Sequence, residues 1–164
     1  MRLPALALLI ASAAAARGEP SASFAQAQSL ERRGYLFGAF FHFAAIVQAG
    51  PSHPDYLRAI EAASATAEQL RDEVVAPHLF EKIPADTLAA LPAAPRARIA
   101  VSLALLAYRS GRHEDASRLL TQVPADSPAV PQALYLRGLL QQRTEPERAL
   151  VSFRELTAME RAPE

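Results

Sequence analysis

Residues 97–130, ARIAVSLALLAYRSGRHEDASRLLTQVPADSPAV, constrain this chain more than any other stretch. Ala100, Leu103, Ala104, Ala107 and Tyr108 recur at steps of one, three and four, the apolar stripe of a helix. Ser110-Gly111 ends that helix, because glycine enters the left-handed conformation without a Cβ penalty. Glu114 and Asp115 open a second helix at the positive end of its dipole. Its stripe is Ala116, Leu119, Leu120 and Val123, and Pro124 and Pro128 stop it. Two antiparallel helices with small residues at their crossing make a hairpin. One hairpin cannot bury both of its apolar faces, so the pattern calls for neighbours of the same kind.

These residues resemble the tetratricopeptide repeat, a helix–turn–helix unit with a period of about 34 residues. With Ala97 as position 1, Ala104 falls at 8, Tyr108 at 12, Gly111 at 15, Ala116 at 20, Leu120 at 24 and Pro128 at 32, while Val123 stands where the family has Ala. The register recurs near the start, with Ala27 at 8, Leu30 at 11, Gly34 at 15, Ala39 at 20, Phe43 at 24 and Pro51 at 32. It recurs at the end, where Leu134 and Gly138 fall at 4 and 8, and Ala149, Phe153 and Leu156 follow one residue early. The resemblance implies an all-α fold: an α-solenoid of stacked antiparallel hairpins, about four of them, the second irregular.

The chain divides accordingly. Met1 to Ala16 reads as a secretory signal peptide, with Arg2, an apolar run from Leu3 to Ala11 and a small-residue cleavage region; an uncleaved N-terminal helix is the alternative. A flexible lead spans 17–23 and the first hairpin 24–51. Tyr35, Phe37, Phe40, Phe41 and Phe43 crowd that hairpin, either as core or as an exposed anchor for a partner. A divergent hairpin follows over 52–81; it has no glycine at its turn, so Leu70-Arg71-Asp72 must serve, and Pro77 interrupts its second helix. Residues 82–96 form a Pro-rich insertion, a lid, a hinge or surface padding, with a short helix at Pro84–Leu88. Hairpins at 97–130 and 131–164 complete the array. The last apolar face is covered by its own charged residues, by another chain, or by a longer gene product.

Seventeen basic and seventeen acidic side chains cancel, which leaves no electrostatic reason for nucleic acid or an anionic membrane as partner. Cysteine is absent, so disulfides, Cys zinc sites and thiol chemistry are excluded. His42, His53, His78 and His113 lack metal-ligand spacing, and there is no GxSxG elbow or Gly-rich phosphate loop. Glu61, Glu68 and Glu73 with Arg58 and Arg71 read as a solvated helix face with local ion pairs. No cofactor, metal or catalytic residue is expected.

What remains is a surface. The resemblance implies that the first helix of each hairpin lines a concave groove. Carried onto this chain, its positions are Gln28, Glu31 and Arg32; Arg98, Val101, Leu105, Tyr108 and Arg109; and Tyr135, Leu139, Gln142 and Arg143. The function expected is a non-catalytic scaffold or adaptor of the bacterial cell envelope, periplasmic or secreted, that binds a protein or peptide. The alternatives are a ligand-binding or enzymatic site closed by residues 82–95, and an oligomerising module that self-associates through its C-terminal face.

Overall fold

The computed structural model describes residues 20–142 and 144–161. The expected signal peptide, residues 17–19 of the lead and Arg143 therefore lie outside the described residues, and the rest of the lead is not flexible: Ser21 caps the first helix, which begins at Ala22. Among those described there are nine helices and no strand. They are α1 (Ala22–Arg32), α2 (Leu36–Ala49), α3 (Tyr56–Leu70), α4 (Val75–Phe80), α5 (Ala85–Ala90), α6 (Ala93–Arg109), α7 (His113–Leu120), α8 (Val130–Gln141) and α9 (Pro146–Arg161).

Helices α1/α2, α6/α7 and α8/α9 form hairpins. Helix α2 packs on α3, α3 and α4 both pack on α6, and α6 and α7 both pack on α8, as in an α-helical repeat-like fold. The second pair departs from the pattern: α4 has only six residues and lies chiefly against α6.

One turn is built three times. The N–H of Tyr35 reaches back five residues to the carbonyl of Leu30, that of Asp72 to Ala67, and that of Arg112 to Ala107, at 2.9, 2.9 and 2.8 Å. Such a bond closes a helix when the residue before the donor is left-handed. Those residues are Gly34 (φ 80°), Arg71 (φ 51°) and Gly111 (φ 74°). Arg71 thus does in the second hairpin what glycine does in the first and third.

The Asp72 carboxylate then caps α4, accepting from the N–H groups of Val74, Val75 and Ala76 at 2.9, 2.9 and 3.1 Å. Pro77 falls in the first turn of that helix, where an N–H would have no intrahelical partner, so the expected interruption does not occur. The insertion is also shorter than its prolines suggested, because α6 begins at Ala93 inside it. Pro95 sits in the first turn of α6, where it costs no hydrogen bond.

The ends of α1 are tied to α3. The N–H of Ser21 donates to the buried carboxylate of Asp55 at 2.8 Å, and Asp55 pairs with Arg58 at 2.9 Å. Arg58 in turn covers the ring of Phe24, 4.6 Å from its centroid. At the other end Thr66 donates to Glu31 at 3.1 Å. Burial alone would raise the Asp55 pKa. The hydrogen bonds from Ser21, with the charges of Arg58 and His53, outweigh it and hold the carboxyl below its usual range.

Two cores result. The first gathers Phe24, Phe40, Phe43, Tyr56, Ile60 and Phe80 from α1–α4, with Ile99 of α6. The second runs through Ala97, Ala100, Ala104, Ala107, Ala116, Ala129 and Ala133, with Leu120, Val123 and Leu136. The α2 aromatics split: Phe40 and Phe43 are buried, while Tyr35, Phe37 and Phe41 remain 58%, 67% and 59% exposed.

Candidate functional site

Helix α6 has two flanks. Arg98, Val101, Ser102, Leu105, Tyr108 and Arg109 face a groove of about 520 Å³. The α3 side and the turn after it supply Ser64, Ala67, Glu68, Arg71, Asp72 and Glu73; the α8 side supplies Ala129, Gln132, Tyr135, Leu136 and Leu139. The walls differ in chemistry. Four of the six residues on the α3 side are charged, whereas none on the α8 side is.

Two ion pairs join the charged wall to α6. Arg98 Nε lies 2.7 Å from Glu68, and Arg109 lies 2.5 Å from Glu73 while also donating to the Glu73 carbonyl at 2.8 Å. The pairs these glutamates make are not local, as the sequence suggested; they connect one hairpin to the next, with Glu73 still more than half exposed. Arg58, by contrast, pairs with Asp55 within one helical turn. Tyr108 leans on the His113 ring at 5.6 Å, and Tyr135 on Phe153 at 6.4 Å, so the aromatic groups of the groove are supported from behind.

Seven of the residues expected in the groove line it: Arg98, Val101, Leu105, Tyr108, Arg109, Tyr135 and Leu139. Gln28, Glu31 and Arg32 do not. Glu31 faces α3 through its bond to Thr66, and Arg32 is exposed at the end of α1. Gln142 is exposed and outside the lining. No family model, curated protein or solved structure matches the chain.

Sequence reasoning missed the whole α3 wall. The signal lay in the turn: with Arg71 at position 15, Glu68 falls at 12, where Tyr108 stands in the third hairpin. Without a glycine to set the register, the position was illegible.

The insertion does not close over this groove. Its Ile83 and Leu88 line a second hollow of about 300 Å³ on the other flank of α6, with Phe80, Leu103, Leu106 and Leu119. Two ion pairs at that hollow are Arg112–Glu81, at 3.4 Å, and Arg118–Asp115. Among the described residues no group of three or more His, Cys, Asp or Glu side chains is placed to hold a metal, and no helix is long and apolar enough to cross a membrane.

Proposed function

We propose that this chain is an exported, non-catalytic interaction module of the bacterial cell envelope. Its tetratricopeptide-like hairpins offer the groove between α3, α6 and α8 to a segment of a partner protein. The observation that carries this reading is convergence. Residues 98, 101, 105, 108, 109, 135 and 139, chosen by register, share one groove with an apolar floor and a charged wall. Tyrosine and arginine are the residue types that most often dominate interface energetics, and Tyr108, Tyr135, Arg98 and Arg109 all stand there. Ion-paired arginines are already held in place, which lowers the ordering cost of binding.

Photo-crosslinking tests the proposal. A photoreactive residue at position 105, in the groove, should capture one stoichiometric envelope protein. The same probe at position 106, in the other hollow, should not. Equal capture at both positions, or none at either, sinks the reading. Export is tested separately, by N-terminal sequencing of the mature chain.

A further inference from the structure

We propose that the groove recognises an acidic side chain. Its occupant is an apolar partner segment that sets an Asp or Glu carboxylate against Arg71 and apolar side chains against Val101, Leu105 and Tyr135. This rests on the reading of the groove as a partner-binding surface. Two separate observations lead to it.

The first is conformational. The left-handed turn position that holds Gly34 and Gly111 in the neighbouring hairpins holds Arg71 at φ 51° in the second. A side chain is disfavoured in this region, and nothing in the turn's hydrogen bonding requires one. Residues kept in such conformations concentrate at functional positions.

The second is electrostatic. Six charged side chains line the groove. Arg98 is matched by Glu68 and Arg109 by Glu73, and Asp72 uses both oxygens on the N–H groups that open α4. Among the described residues the Arg71 guanidinium has no ion-pair partner. The six charges sum to zero, but Arg71 is the one charged side chain of the groove that these pairs and caps leave unengaged, at the edge of an apolar floor. A guanidinium offers a carboxylate two parallel donors, the pairing with the strongest geometric preference.

Panning a display library of random dodecapeptides against the full chain supplies the probes. Each peptide is fused at its C-terminus, so only side chains can present a carboxylate. Enriched peptides should combine Asp or Glu with apolar residues, and Tyr135→Ala should abolish binding. Changing the acid to its amide, or Arg71→Gly in the protein, should each weaken binding about tenfold, the size of one lost charge-assisted pair. Arg71→Lys should restore part of the loss. Glycine suits the left-handed turn, so the unfolding midpoint of Arg71→Gly should not fall.

Peptides that need Tyr135 but bind Arg71→Gly unchanged overturn the inference and leave the groove reading standing. A lowered midpoint for Arg71→Gly also overturns it, because the side chain would then be holding the turn. Peptides indifferent to Tyr135→Ala, or a library with no enrichment, remove both readings.

Discussion

The two halves of the molecule fill their interiors with different proportions of large side chains. In the first core twelve of the nineteen buried residues are larger than alanine, with Phe24 and Phe43 at 5.4 Å between ring centroids and Phe40 and Phe80 fully enclosed. In the second core, built from α6–α8 and the segments between them, seven of the ten buried residues are alanine. Aromatic burial stabilises through area, on the order of 25 cal/mol per Å² removed from water. Alanine offers little area and instead lets backbones approach closely, so contact comes from the main chains and from the few large residues wedged between them. The first half should be sensitive to removal and the second to addition.

The largest expected effect is in the aromatic half. Phe43→Ala should cost about 3–5 kcal/mol, as truncation of an enclosed Phe generally does, read as a drop in urea midpoint. A loss below 1 kcal/mol would mean that the aromatic cluster is not a core. In the alanine half the telling change is an enlargement. A Cβ on Gly138 would lie within the van der Waals envelope of three carbons of the Phe153 ring. Gly→Ala in an open helix gains about 1 kcal/mol, so a loss of about 1–3 kcal/mol for Gly138→Ala would reverse the usual sign. If the variant is more stable than the parent, the close approach of α8 and α9 is wrong.

Acid separates the halves in another way. The folded pKa of Asp55 is depressed, so its contribution is present above the unfolded value, about 3.9, and fades as pH falls through the lower folded value. Amide exchange at the start of α1 should therefore accelerate below about pH 4 while exchange in α8 is unchanged by Asp55. Asp55→Asn should remove that pH dependence at α1. The smallest effect concerns the joint between the halves. The Glu68–Arg98 pair is about a quarter to a third exposed on each side, and a double-mutant cycle should give roughly 0.2–1 kcal/mol. A coupling above 2 kcal/mol would make the pair a principal tie between the halves.

The first and third hairpins were legible because a glycine fixed the turn, and the last because its small and apolar residues kept the spacing. Gly111 set the register that placed Arg98 and Tyr108 in the groove, and Leu134 with Gly138, without a turn glycine, set the one that placed Tyr135 there. The second hairpin was legible only in outline, because its turn uses a residue that sequence rules do not associate with positive φ. That single gap hid the charged wall of the groove. Pro77 and Pro95 misled for a related reason: proline breaks a helix interior but is harmless in a first turn, and where a helix begins depended on the Asp72 cap in one case and on packing in the other. Gln28 and Glu31 fall outside the groove although the register treats all first helices alike, and α1 turns Glu31 toward α3.

Helix α6 is a partition with a chamber on each side. Val101, Leu105 and Tyr108 look into one, and Leu103, Leu106 and Ala107 into the other, with no second layer of protein between them. One helix therefore forms a wall of both hollows, so a shift of its backbone would reshape the two together.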